Sequence, residues 1–464
     1  MRSFLLLPII AFLAACAPQK PQFPMPSQSS TAQQPARTRP MTSDPNQSRS
    51  NTGSRPNTSA RPAPSNPVSN APTNPEQPGS EWAVLAIKGK FMTIDTTGIR
   101  VFLQVTTTQP NGQPMSAETF RERFVVNYVI YPDYNNRERL GYGNVPITPE
   151  AITTVNDRLM LMFTINRPKG ATNAVLLTEI SETGTGKKSL NDLPLHFKPT
   201  RLSDQYAVFD ATGSLPQMRN FVRAQDTVVI RDMLGTKRNL FAYRYKHEFD
   251  PALPPMTSTQ RPASRTLNVD SLMVVSTNEP IRLPGEGLYY FMADTTDLSG
   301  LGLMATDMRY PKMTRPERLV KPLLYMSTGT EIAELNNTKE AKKALDRYWL
   351  SLMAGNEDVA KKAISAYYNR VEDANQLFTT YKEGWKTDKG MIYIILGSPD
   401  RVQRSRDREV WVYNRRSNLS EVNFTFNRKQ NQFVEDHYEL VRYSEYQPIW
   451  YPIVEAWRTG AIRE

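Results

Sequence analysis

Between Trp82 and Lys198 the chain falls into short runs dominated by apolar and β-branched residues: WAVLAIKGKFMTI, IRVFLQVTT, RFVVNYVIYP, DRLMLMFTIN, ATNAVLLTEI and LPLHFK. Turn-forming clusters separate them, as at Gln109-Pro110-Asn111-Gly112 and Arg167-Pro168-Lys169-Gly170. Runs of this length with such boundaries form strands. Six of them with no amphipathic helix between predict an antiparallel, immunoglobulin-like β-sandwich over residues 81–200. YAVFDA, DTVVIRD, NLFAYRY, LMVVS, LYYFMAD and LGLMATD repeat the pattern and predict a second all-β domain over 201–312. Its proline-rich connection DPALPPMTSTQRPAS is expected to cross the outside.

The period then lengthens. After a candidate N-cap at Thr338, Leu345, Tyr348, Trp349 and Leu352 fall at i, i+3, i+4 and i+7. Asn356 is placed to cap a second helix, which presents Ala360, Ala363, Ile364, Tyr367, Val371, Ala374, Phe378 and Tyr381 on one face. MIYIILG follows and reads as a strand, Ile392 to Leu396, opening a meander continued by EVWVY, EVNFTFN and QFVEDHYELV. The chain closes on an aromatic tail, YQPIWYPIVEAW. Helices followed by a small antiparallel sheet predict a C-terminal α+β module over 313–464.

The first eighty residues change the picture from fold to location. Arg2, an apolar run from Phe4 to Leu13 and Leu13-Ala14-Ala15-Cys16 form a secretory leader, and the tetrapeptide resembles the lipobox of bacterial lipoproteins. The resemblance implies removal of residues 1–15 and acylation, palmitate included, of Cys16. With Cys16 the only cysteine, no internal disulfide can form. Ala17, where aspartate would favour inner-membrane retention, implies an outer-membrane lipoprotein, and the lack of an acidic cluster after it favours the periplasmic face. Residues 17–80 hold 14 prolines among Ser, Thr, Asn and Gln, too little apolar surface to offset ordering entropy, so 16–80 reads as a lipidated, disordered tether.

The chain carries a net charge of +11, of which +6 falls from Glu81 onward. An exported lipoprotein does not meet nucleic acid, so the expected partners are an envelope protein complex or an anionic envelope polymer. Between Arg401 and Lys429 stand eight basic residues (Arg401, Arg404, Arg406, Arg408, Arg415, Arg416, Arg428 and Lys429) against Asp407, Glu409 and Glu421. This hairpin is the candidate surface for an anionic partner; the alternative is a solvated edge that resists aggregation.

Gly384-Trp385-Lys386-Thr387-Asp388, with Lys389-Gly390, MIYIILG and Ser398-Pro399-Asp400, resembles the GWxTD domain of bacterial envelope proteins. The likeness spans roughly residues 315 to 445, with Lys389 where arginine is usual. It implies an exported lipoprotein with β-rich N-terminal regions and carries no catalytic residue. Gly384 and Gly390 are expected to take positive φ, Asp388 to accept backbone N–H bonds, and Trp385 to cover a core edge. A recognition role would instead leave Trp385, Thr387, Asp388 and Asp400 exposed to a partner. ILGSPD, EVWVY and FTFN are also similar to the layout of small outer-membrane assembly lipoproteins.

No metal-ligand spacing joins His196, His247 and His437, and no nucleophile elbow or phosphate-cradling glycine loop is present, so neither catalytic residues nor a cofactor are assigned. Four triplets, beginning at Asp95, Asp226, Asp270 and Asp294, resemble an O-glycan acceptor pattern. The leading expectation is a lipid-anchored adaptor of an envelope secretion or outer-membrane assembly complex. Its rivals are an enzyme acting on cell-wall or surface polysaccharide and a non-catalytic glycan-binding module.

Overall fold

The computed structural model describes residues 82–197, 202–257, 266–296, 299–414 and 421–462, all within one compact unit. The leader, Cys16, the tether, Arg415, Arg416 and residues 258–264 of the proline-rich connection lie outside the described residues. Among the described residues no helix is long and apolar enough to cross a membrane.

The first region contains β1 (Ala83–Thr93), β2 (Gly98–Thr108), α1 (Ala117–Arg123), β3 (Phe124–Tyr131), β4 (Gly141–Val145), β5 (Ile152–Val155), β6 (Arg158–Asn166), β7 (Asn173–Glu182) and β8 (Lys188–His196). They pair antiparallel in two sheets, ordered β1-β2-β6-β5 and β4-β3-β7-β8. Alternate residues from both sheets, among them Val101, Leu103, Val126, Leu176 and Leu195, meet in one core. The expected six strands are all present. β4 and β5 are additional, and α1 stands where no helix was expected, capped by Ser116, whose hydroxyl accepts from Thr119 N.

The second region runs through α2 (Leu202–Gln205), β9 (Ala207–Phe209), β10 (Phe221–Arg223), β11 (Thr227–Arg231), β12 (Asn239–Tyr245), β13 (Ser271–Ser276), β14 (Pro280–Arg282), β15 (Gly287–Met292) and β16 (Leu301–Thr306). Its sheets are β10-β16-β15-β12-β13 and β14-β11-β9, antiparallel apart from the β10–β16 pair. The outer face of β1-β2-β6 is partly covered. Met92, Phe102 and Met160 pack there on Phe209 and Val229 of the second region.

The C-terminal region holds α3 (Pro316–Leu319), α4 (Gly329–Asn337), α5 (Ala341–Leu352), α6 (Glu357–Phe378), α7 (Asp388–Leu396), β17 (Arg401–Arg404), β18 (Arg408–Tyr413), β19 (Val422–Arg428), β20 (Tyr438–Leu440) and α8 (Gln447–Arg458). Trp349, Trp385 and Trp457 are buried in its core, with Tyr367 edge-on between Trp349 (5.8 Å) and Trp457 (5.3 Å). Each such ring removes on the order of 150–250 Å² from water, so these side chains anchor the packing of α5, α6 and α8.

Three expectations are corrected here. MIYIILG is not a strand but most of α7; Thr387 caps it, accepting from Gly390 N, and Gly397 ends it at φ 84°. Met391 to Ile395 are buried all round, so the run carries no period that separates a helix from a strand. The antiparallel meander has four strands, β17-β18-β19-β20, but opens at Arg401. Thr338 ends α4 rather than starting a helix, α4 being fixed by a capping box between Thr328 and Glu331, and the aromatic tail is α8.

Candidate functional site

The GWxTD segment is a short 3-10 turn, Gly384–Lys386, wedged between the end of α6 and the start of α7. Asn375 on α6 accepts from Trp385 N (3.0 Å) while its amide donates to Pro311 O (3.0 Å). Thr379 Oγ1 accepts from Gly384 N (3.0 Å), and Tyr325 OH donates to Trp385 O (2.8 Å). Thr387 Oγ1 donates to Gly384 O (2.7 Å) as well as capping α7. Every polar atom that the turn buries is used by a neighbour, which fixes its path.

The glycines serve this path by closeness, not by φ. Neither Gly384 nor Gly390 takes a positive φ, contrary to expectation. A Cβ on Gly384 would stand 2.0 Å from Ala374 O, and one on Gly390 would stand 1.9 Å from Gly384 O. Backbone meets backbone where a side chain would sit.

Trp385, Thr387 and Asp388 are buried, at 1%, 9% and 8% exposure, so the partner-facing exposure considered for them is not found. Trp385 packs edge-on to Tyr325 (6.3 Å) and its Nε1 donates to Glu383 (3.0 Å). Asp388 accepts from Leu440 N (3.0 Å) and pairs with Arg442, which also donates to Leu253 O (3.2 Å). The aspartate thus ties α7 to β20 and to the second region. Asp400 is exposed and accepts from Asn414 N (2.6 Å), closing the loop around β17 and β18.

Beside this turn lies a crevice of about 1560 Å³, walled by all three regions. A chain of buried and half-buried charges crosses its floor. Lys389 Nζ pairs with Glu409 (3.0 Å), Glu409 with Arg404 (3.2 Å), and Arg404 with Asp192 of β8 (2.6 Å), which accepts from Tyr134 OH (2.8 Å). Trp411 Nε1 donates to Glu409 (2.6 Å), and Lys389 stands 3.7 Å over the Tyr438 ring. Burial would raise the Glu409 carboxyl, but the fields of Lys389 and Arg404 and the indole hydrogen bond hold it down to about 2. Burial pushes Tyr134 up, and Asp192 pushes it further. Lys382, half-buried on another wall and donating to Asp250 O (3.1 Å), is held down to about 8 by burial.

Three arginines of the basic hairpin are engaged by acids. Arg401 pairs with Glu421 (3.1 Å), Arg404 is the centre of that chain, and Arg428 reaches Glu435 and Asp436 (3.8 Å each). Arg406 and Arg408 are exposed. His196 stands 3.6 Å from Glu435, His437 lies 3.3 Å from Glu439, and His247 packs edge-on to Phe249. Among the described residues no cluster of three or more metal-ligating side chains occurs.

Tyr134, Asp192 and the cations Lys88, Arg158 and Arg219 escaped the sequence reading. One signal was present: in IKGKFM, Lys88 and Lys90 share a strand face with Met92, which is buried. Charges on a face that also carries a core residue mark a boundary between packed regions.

Comparison with proteins of curated function yields no match. Residues 287–459 match the profile of the GWxTD domain, a span wider than the motif's surroundings suggested, since it takes in β15 and β16 as well as the helices and the C-terminal sheet. With the turn, the capped helix and the aspartate tie on the page, the stretch from 287 to 459 is a GWxTD domain, preceded in this chain by the first β-rich region and by the part of the second that ends before β15.

Proposed function

We propose that the chain is a lipid-anchored adaptor or accessory subunit of an envelope secretion or outer-membrane assembly complex, held through Cys16 at the periplasmic face of the outer membrane. In this reading the two four-stranded sheets are an immunoglobulin-like sandwich, the second region a further sandwich, and the C-terminal region an α+β module. Their task is docking.

The observation that carries the reading is β13. It is the last strand of its sheet, its sequence SLMVVS holds neither charge nor proline, and Leu272 and Val274 are 52% and 61% exposed. Exposed apolar edges are normally blunted in proteins that stay alone. The expected occupant is an extended segment of a partner protein with alternating apolar side chains, added as a further strand.

Purification of the tagged full chain from detergent-solubilised membranes tests this against a Leu272→Lys/Val274→Lys variant. A stoichiometric membrane partner is expected with the unaltered chain and is lost with a variant that melts at the same temperature. No reproducible partner, or equal capture by both, overturns it. Mass spectrometry of the mature N-terminus checks the anchor, which an unacylated product would remove.

A second reading, a glycan-binding module, is favoured by the aromatic lining of the crevice, where Phe249 and Tyr381 meet at 4.9 Å and Tyr381 and His437 at 5.3 Å. It requires retention on envelope polysaccharide without turnover.

A further inference from the structure

Lys88, Lys90 and Met92 project from β1 toward the second region. Met92 enters the apolar contact with Phe209, and Lys90 Nζ donates to Gln217 O (3.0 Å) in the loop between β9 and β10. Lys88 stays at the rim, where it lines the crevice beside Asn220. The register sets Lys88 opposite Gln104 of β2, and Arg158, at the start of β6, donates to Gln104 Oε1 (3.3 Å). Arg219, from that same loop, lies over the Phe221 ring (5.5 Å).

Among the described residues, none of these four cations forms an ion pair with a carboxylate. Burial, then Arg219 and Arg158, hold Lys88 down to about 8; burial, then Arg158 and Arg223, lower Arg219. Like charges gathered at a partly dry boundary without a counterion raise the free energy of the folded chain. Arg404 and Lys389, by contrast, are matched with acids. A cluster of this kind attracts an anion.

We propose that Lys88, Arg158 and Arg219, with the Gln104 amide between two of them, form a binding site for a phosphate-type oxyanion at the boundary between the first and second regions. Two guanidinium forks and one ammonium suit a tetrahedral, multiply charged group, since guanidinium binds such oxygens in pairs and the ammonium adds a point charge. The group is presented either by a small soluble phosphate compound or by a lipid headgroup. The site is separate from the exposed edge of β13 and does not depend on docking there.

The test is calorimetric titration of the purified full chain with inorganic phosphate and with pyrophosphate, at ionic strength matched with chloride. A parallel flotation assay compares vesicles of phosphatidylcholine with vesicles containing phosphatidic acid. Saturable one-site binding is expected, weakened at least about tenfold in Lys88→Met and in Arg219→Gln. Arg401→Ser, which alters an acid-paired arginine, should leave the affinity unchanged. Without anion, Lys88→Met should melt above the unaltered chain, because it removes an unmatched charge. Binding of the free anions assigns a soluble ligand; Lys88-dependent flotation with phosphatidic acid alone assigns a headgroup. The proposal fails if Lys88→Met binds as well as the unaltered chain, if Lys88→Met melts lower, or if neither the anions nor the acidic vesicles bind.

Discussion

The hairpin built from β17, β18 and β19 and the boundary formed by β1, β6 and the loop before β10 are both rich in cations, yet their charges stand in opposite circumstances. In the hairpin, Arg401, Arg404 and Arg428 each face a carboxylate. At the boundary of the first two regions, Lys88 and Arg158 both stand at Gln104, and Arg219 lies in the loop that receives Lys90, with no carboxylate paired to any of them among the described residues. Counting charges along the chain finds the first group because its members are neighbours in sequence. It misses the second because 131 positions separate Lys88 from Arg219. Linear charge density measures abundance; the availability of a charge depends on which acids the fold delivers.

The largest effect expected from breaking the matched set is at Arg404. Arg404→Met removes the arginine that Glu409 and Asp192 share, leaving Glu409 with Lys389 alone and Asp192 with no cation, and loss of one member of a buried pair typically costs about 3–5 kcal/mol. Chemical denaturation should show a loss of that order; a loss under about 1 kcal/mol would mean that the chain of charges contributes little.

Acid probes the same set through Glu409. Its folded value, about 2, lies below the ordinary 4.5, so its stabilisation is present above about pH 4.5 and is lost as pH falls toward 2. The amount is on the order of 3 kcal/mol. Stability measured between pH 5 and pH 2.5 should fall less steeply in Glu409→Gln than in the unaltered chain. An identical slope would assign acid sensitivity to other carboxylates.

The smallest effect is expected at Arg401, whose pair with Glu421 is well exposed on both sides. Arg401→Ser should change stability by less than about 1 kcal/mol. A greater loss in denaturant unfolding would show that this pair belongs with the buried set. Lys88→Met, with its expected gain, completes the contrast in sign.

Much of the strand content was legible because half-buried strands alternate, and IRVFLQVTT and DRLMLMFTIN became β2 and β6 with little change at their ends. β4 and β5 were not: GYGNV and ITTV are short, and one is glycine-rich. α7 was misread because a helix buried on all sides loses its polar stripe, although Thr387 three residues before Gly390 was a usable capping signal. α8 was hidden by Pro448 in its first turn and Pro452 within it. At the site, the motif could be recognised, but the burial of Trp385 and Asp388 depends on partners far along the chain, Tyr325 and Arg442. No local pattern encodes those pairings.

Gly302 gives a last indication of how the crevice behaves. The carbonyl of Phe433 occupies the space that a Cβ on Gly302 would fill, 2.2 Å away, while the Phe433 ring rests against Tyr245 and Tyr290 at 5.6 and 5.1 Å. The loop after β19 is thereby pinned to the sheet of the second region. Widening the gap would mean extracting an aromatic plug from its socket. That flank of the opening is accordingly a keyed joint, whose position is set by the fit of one ring and one carbonyl.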